Sequence, residues 1–475
     1  MEIVRKSFIL FFVILIGSCR NSGDTGQDVE QLIKQGEFNK ATKLLEQKIE
    51  KNTGEPKETF LIQLETINRI RKEFPYTRMD IKKHLKKYYP GLSEARLDEW
   101  EEARQLEMRI IDGEKRYFNR SVSNLFRLNA EARKVKESVD GDGYSGVTDF
   151  QESIIPLYFQ KEFITGEPFN LQRIKVNYTI RLKPNQVPAG EIVRCWLPYP
   201  RTGLARLPKV EFLNSEPKDA IIAPEEALQR TVYMEKKAIN NEETAFSVSY
   251  IFEAAAQWFD VKPEQVQLYD KSSELYKKYT SERLPHIIFS EEVTNQARKI
   301  VGEETNPVKQ VELLFYWIDQ NIPWAGALEY STMECIPEYV LENRHGDCGM
   351  KTFLFMSMAR SLGIPCKWQS GWYLLPQEKN LHDWAEVYIE GIGWVPVDQS
   401  FGLIDSPDKR VKEFYLNGMD NYRLVVNDDY AQDLYPPKKH YRSEPYDFQR
   451  GELEWDGGNL YFDQWSYNMQ VEYLD

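Results

Sequence analysis

The sequence predicts a multidomain α+β protein: an N-terminal helical domain, a small β-sandwich and a C-terminal α+β core. Three observations predict it. Apolar residues recur at three- and four-residue spacing from about 28 to 140, alternate with polar residues from about 169 to 256, and follow interleaved helix and strand patterns beyond 265. At 475 residues, 41% hydrophobic and 28% charged, the chain is long enough for about three domains and has the composition of an ordinary folded protein.

The first residues read as a leader. Arg5 and Lys6 precede an apolar run from Phe8 to Ile16, about half the length of a permanent membrane span. The run closes on Ile16, Gly17, Ser18 and Cys19, which resembles a bacterial lipobox, so residues 1–18 are expected to be removed and Cys19 lipidated. Residues 19–28 would be a polar tether, and the protein would be lipid-anchored in the cell envelope, facing the periplasm or the surface. The formal charge of −13, −14 once Glu2, Arg5 and Lys6 leave with the leader, makes nucleic acid a poor partner.

Residues 29–160 are expected to form the helical domain. Gly36, Glu37 and Phe38, followed by Ala41, Leu44 and Leu45, resemble part of a tetratricopeptide hairpin, but no second copy follows at the required period. Further helices are expected over 79–89, 93–111 and 116–136, the last with Phe118, Val122, Leu125 and Phe126 on one face. The cluster Lys82, Lys83, His84, Lys86 and Lys87 reads as a solvated face. Asp140, Gly141, Asp142 and Gly143 begin like a calcium loop, but Tyr144, Ser145 and Gln151 stand where ligands and a glycine are needed, so the segment reads as a linker.

Residues 165–256 are expected to form the β-sandwich, with strands at 174–180, 192–197, 232–236 and 245–252. Residues 265–475 are the predicted core and its extension: helices at 290–300 and 308–321, a helix starting near Cys348, and strands at 366–373, 384–389 and 394–397. Two later strands, at 424–426 and 458–462, are expected to pack onto the catalytic sheet.

The chemistry-bearing residues lie in this last region. Cys348 sits between Gly346 and Gly349, directly before the apolar run Phe353 to Ala359. At a helix N-terminus, free N–H groups and the macrodipole favour a thiolate, and glycines leave room for a substrate backbone. A thiolate needs a base that also returns a proton to the leaving group. His382, one of five histidines, lies 34 residues on at the mouth of a strand. Asp398, 16 residues further, ends the next strand and could fix the tautomer of His382 if the two strands are antiparallel neighbours. Trp384 and Glu386 share a strand face with His382 and read as supports.

Gly346 and Cys348, Gly363-Ile364-Pro365, Gly371, His382 with Trp384, Glu386 and Val387, and Gly393-Trp394 with Asp398 together resemble the motif series of the transglutaminase-like superfamily, over roughly 290–402. The resemblance implies a papain-like fold and an acyl-enzyme mechanism with Cys348 as nucleophile, His382 as base and Asp398 as orienter. It also implies that the strand-rich stretch before the core is the β-domain that often precedes such cores. Gln399 and Ser400 follow the aspartate where many members have Pro-Thr. Trp324 resembles an aromatic upstream of the cysteine in this family. Its indole N–H could serve the oxyanion, with core packing or substrate stacking as the other reading.

His345 lies too close in sequence to Cys348 to be the expected base, and Cys335 and Cys366 read as structural. No metal-ligand spacing and no cofactor motif is present. The expected function is hydrolysis of an amide or isopeptide bond in a protein or peptide substrate. The alternatives are protein-glutamine γ-glutamyl transfer, which a narrow dry site would favour, and a non-catalytic membrane-tethered binding module, for which Cys348 would be dispensable.

Overall fold

The computed structural model describes residues 29–141, 143 and 145–474. The leader, Cys19 and the tether, together with Asp142 and Tyr144 of the loop discussed above, lie outside the described residues.

The helices Val29–Lys34, Phe38–Lys51 and Glu55–Glu73 pack through Leu32, Phe38, Ala41, Leu45, Ile67 and Ile70, residues at helical spacing on facing sides. Arg78–Leu85 follows behind a capping box in which Thr77 and Asp80 each satisfy the other's backbone N–H. Where one helix is expected over 93–111, the structure has Glu94–Glu102 and then a hairpin of Met108–Ile111 and Glu114–Tyr117. The reason is the two-residue turn Asp112-Gly113, both at positive φ (52° and 85°), the backbone that a tight hairpin turn demands. The expected helix over 116–136 is likewise divided into Ser121–Leu128 and Ala130–Asp140. Asn129 leaves the helical region between them and caps the second with its side chain, accepting from Ala132 N–H.

Two antiparallel sheets share the next core. One contains the long strands Pro168–Leu182 and Thr244–Trp258, flanked by Val210–Glu216 and by Trp465–Leu474. The other contains Ile192–Pro198 and Thr231–Lys237, extended by Glu452–Trp455 and Gly458–Leu460. Strands of the C-terminal segment therefore complete both sheets. Of the two late strands expected on the catalytic sheet, Arg423–Asn427 joins it and Gly458–Leu460 does not.

The layer that carries His382 is a four-stranded antiparallel sheet in the order Gly393–Val397, Lys379–Ile389, Cys366–Leu374, Arg423–Asn427. One face carries the helix Cys348–Ser361, whose residues 348–360 are all buried, with Glu291–Val301, Pro307–Asn321 and Ile336–Asn343 around it. Burying Phe353, Leu354 and Phe355 contributes about 1.5–3 kcal/mol each. On the other side Trp372, Trp384, Leu424 and Val425 pack into the core of the two larger sheets.

The helical domain grips the segment that leads to Cys348. Asn124 exchanges two hydrogen bonds with Gly326 (2.9 and 2.8 Å). Glu73 accepts from the Thr332 hydroxyl (2.6 Å) and from Glu329 N–H, while Glu107 accepts from the Tyr339 hydroxyl at 2.8 Å. Burial pushes the Glu73 carboxyl up to about 8 despite the bonds it accepts, and burial does the same to Glu444. Carboxyls raised in this way bind protons in the folded chain that the unfolded chain has already released, so their stabilisation is lost as pH rises through about 8. His286 and His345, pushed down to about 3 and about 4 by burial, act in the opposite sense but only below their ordinary value of about 6.5. The Tm is therefore expected to fall between pH of about 6.5 and 8.5, and Glu73→Gln to flatten that fall; thermal unfolding across this range checks it.

Candidate active site

The site begins with a strap. Arg344 ends the preceding helix in the left-handed region (φ 59°), which turns the chain so that Gly346 N–H reaches Pro323 O (3.3 Å) and Ala325 N–H reaches Gly346 O (3.1 Å). Trp324 and Gly346 are thereby bridged side by side. A Cβ on Gly346 would come within 2.8 Å of the Met350 Cβ, so this glycine answers internal crowding. Asp347 caps the helix, accepting from Met350 N–H at 3.0 Å and from the Tyr330 hydroxyl at 2.8 Å.

Cys348 is the first residue of the helix and is 7% exposed. The helix start favours a thiolate, but burial pushes the thiol well up, and the neighbouring Asp383 and Asp347 carboxyls push it further. At rest it is a protonated thiol. Its side-chain hydrogen bond runs to Asp383 Oδ2 at 3.1 Å, not to His382. Gly349 has no room for a side chain because the Tyr330 hydroxyl and the Asp383 carboxylate occupy that space.

Residues of one strand alternate between its faces. Ala385 and Val387 pack under the Cys348 helix and Asp383 reaches Cys348; Trp384 lies in the opposite core, while the His382 ring packs against Tyr373 (5.5 Å) and Phe401 (4.5 Å). His382 lies within the strand Lys379–Ile389 rather than at its mouth. The strand Gly393–Val397 is its antiparallel neighbour, with Val397 opposite Ala385, and Asp398 follows directly. His382 Nε2 meets Asp398 Oδ2 at 2.7 Å, and Nδ1 has no hydrogen-bond partner among the described residues. Burial pushes the His382 imidazole down further than Asp398 lifts it, so the ring is neutral at rest.

The carboxylate side is built more fully than the sequence indicates. Arg423 Nη1 donates to Asp398 Oδ2 (2.9 Å) and Arg423 Nε to Asp420 Oδ2 (2.8 Å), all three side chains being fully buried. Asp398 Oδ1 also accepts from Phe401 N–H (2.9 Å) and Ser400 N–H (3.1 Å). Burial alone would raise Asp398, but His382 and Arg423 outweigh it and hold the carboxyl at about 2. Gln399, in place of the commoner proline, is buried and bonds Thr352 of the Cys348 helix, tying the two elements together.

The other predicted residues fall as follows. Trp384 stacks near His382 (6.0 Å, 28° between planes) and donates its indole N–H to Gln369 at 2.9 Å, while Glu386 pairs with Lys367 (2.9 Å) rather than with His382. Trp324 is half-buried under the Arg127 guanidinium at 4.3 Å, and its indole N–H meets no acceptor among the described residues. His345 packs edge-on against Tyr339. Cys195, Cys335, Cys348 and Cys366 are all unpaired, and burial pushes the Cys335 and Cys366 thiols up to about 12. No group of three metal-ligating side chains occurs among the described residues, nor is any helix among them long and apolar enough to cross a membrane.

Residues 294–399 match the model of the transglutaminase-like superfamily. An uncharacterized protein of Haemophilus influenzae is 29% identical over 164 residues, and the chain spans 42% of that protein's length. Among solved structures, a protein of Cytophaga hutchinsonii provisionally described as a cysteine protease is 17% identical, covering 64% of this chain and 91% of its own, with a TM-score of 0.42. The periplasmic domain of TgpA from Pseudomonas aeruginosa is 13% identical, covering 57% of this chain and 98% of its own, with a TM-score of 0.24. By the family match, residues 294–399 form a transglutaminase-like domain.

Proposed function

We propose that this chain is a thiol acyl-transfer enzyme of the cell envelope, which hydrolyses an amide or isopeptide bond in a protein or peptide through a Cys348 thioester. The observation that carries the reading is His382 Nε2 held on Asp398 at 2.7 Å, in the same matched domain as a cysteine at the first position of a buried helix. With Nε2–H given to the carboxylate, the Nδ1 lone pair is left to take the thiol proton. Sγ then attacks the substrate carbonyl, Nδ1–H protonates the departing amine, and water resolves the thioester. The Trp324 indole and the amides at the helix start are the candidate oxyanion donors.

The test is intact-mass analysis after incubation with a peptide-like thiol-reactive electrophile. Single labelling that is lost in Cys348→Ala and much slower in His382→Ala supports the reading. Labelling of Cys348 no greater than that of the other cysteines would move the weight to a binding module.

Burial of the site favours a second reading, transfer to an amine. Cys348 is 7% and His382 3% exposed, with Tyr330, Tyr373 and Phe401 around them. Partition of a thioester between water and a primary amine distinguishes the two: hydrolysis product that persists at millimolar amine supports the hydrolase, and amide product alone supports the transferase.

The membrane tether belongs to the same proposal and rests on the pattern around Cys19. Mass analysis of the N-terminal peptide from the membrane fraction is expected to show a lipidated cysteine. An unmodified N-terminus in the soluble fraction would overturn the tether alone.

A further inference from the structure

The thiol's partner, Asp383, is not a member of the expected triad, and its position is built from several directions. Its Oδ2 meets Cys348 Sγ at 3.1 Å, and its Oδ1 accepts from Gln449 Nε2 at 2.7 Å. Gln449 Nε2 also donates to His382 O at 3.0 Å, which locks this part of the strand to the C-terminal segment. Asp447 stands beside Asp383 and is itself held by the Ser370 hydroxyl and by Asn427 Nδ2. From the helix side Asp347 faces the same space, and Tyr330 closes it through its hydroxyl. Gly349 is what lets the carboxylate come this close.

A carboxyl buried this deeply costs stability of order kilocalories per mole unless its partners repay it, and groups so placed cluster at functional sites. Burial and the flanking Asp447 and Asp347 push Asp383 well above the usual carboxylate range. The preceding residue of the same strand, His382, is held on Asp398 and packs against Tyr373 and Phe401.

We propose that Asp383 is a further catalytic residue that parks the Cys348 sulfur, with its proton in place, until substrate binding moves Sγ from Asp383 to His382. The inference rests on Cys348 being the nucleophile. In the transfer, the S–H bond breaks and the Nδ1–H bond of His382 forms, the sulfur keeping the electron pair; Asp383 begins and ends the step in the same protonation state. The parked form protects a thiol at the cost of reactivity, so an envelope enzyme would be quiet until occupied.

The test is the rate of Cys348 alkylation by iodoacetamide as a function of pH, followed by mass, for wild type, Asp383→Asn and Asp383→Ser, with Cys348→Ala as the blank. Asparagine keeps an acceptor for Gln449 and offers an N–H to the sulfur, so its thiol is expected to titrate at lower pH and to alkylate about tenfold faster near neutrality, one pK unit in thiolate population. Serine removes the carboxyl by a different route and should shift the profile the same way, which covers the case in which the asparagine variant does not fold. Profiles for both variants that overlay the wild type would overturn the parking role. Acylation by p-nitrophenyl acetate in His382→Ala is measured in parallel: a rate equal to wild type would overturn the thiol-enzyme reading, whatever the alkylation profiles show.

Discussion

Cys348→Ala is expected to abolish acyl transfer outright, and Asp398→Asn to reduce it by about 10²–10⁴-fold while the protein remains folded. The first follows because the proposed chemistry runs through the Cys348 sulfur; of the other described cysteines, Cys195 and Cys366 are fully buried and Cys335 precedes a different helix. The second follows from the tautomer. The Asp398 carboxylate accepts Nε2–H of His382 and so frees Nδ1 for the thiol. An asparagine can present its amide N–H instead, which turns the ring to the other tautomer and puts the proton on the nitrogen that must accept one. Steady-state turnover of any ester or peptide that acylates the wild type checks both. A residual rate in Cys348→Ala, or unchanged turnover in Asp398→Asn, would contradict the assignment.

Arg423→Ala is expected to cost about 3–5 kcal/mol of stability, the typical penalty for stranding a buried charge. Asp398 and Asp420 would then be two buried carboxylates without their shared cation, and Phe401, whose ring lies 4.2 Å from the guanidinium carbon, would lose its packing partner. Arg423→Lys is expected to recover little, since the three donors of an ammonium sit on one nitrogen and do not reproduce the separated Nη1 and Nε positions of the planar fork. In either variant Asp398 loses one of the groups holding its carboxyl at about 2, so the low-pH limb of activity should move upward. The midpoint of urea unfolding and the pH–rate profile measure the two effects separately. A midpoint within error of wild type would show that the carboxylates are solvated or protonated without Arg423.

The Cys348 helix and the three strands at 366–397 were legible because their signals are local. An aspartate N-cap, a continuous apolar run and alternating strands at 366–397 each specify their own segment. The helix expected over 93–111 was not, because the apolar spacing of residues such as Met108 and Ile111 outweighed the Asp112-Gly113 turn that breaks it. The destination of the C-terminal strands was invisible for another reason: Tyr467 pairs with Ile180 across more than half of the chain, and nothing local in either strand names the other. The site divides in the same way. Cys348, His382 and Asp398 stand in short ordered motifs. Asp383 and Arg423 read as single charges in strands, and only the fold brings Gln449 to the first and Asp398 to the second. A charge in an otherwise buried strand, such as Arg423 before Leu424, Val425 and Val426, is the one cue that was present.

The helical domain also acquires a role that its sequence does not announce. Through Asn124, Glu73 and Glu107 it holds the strap that carries Trp324 and leads to Cys348. The segment leading to Cys348 is thus held partly by residues more than 200 positions away.

The most direct test of the central claim is to mix the protein with p-nitrophenyl acetate, quench in acid on the millisecond-to-second scale, and locate the acyl group by intact mass and peptide mapping. The account predicts one acetyl group, on the peptide containing Cys348, which appears with a burst of nitrophenol and disappears as turnover ends. It also predicts that the adduct is absent from Cys348→Ala and slow to form in His382→Ala. An acetyl group spread over several nucleophiles, or a burst that survives in Cys348→Ala, would contradict it.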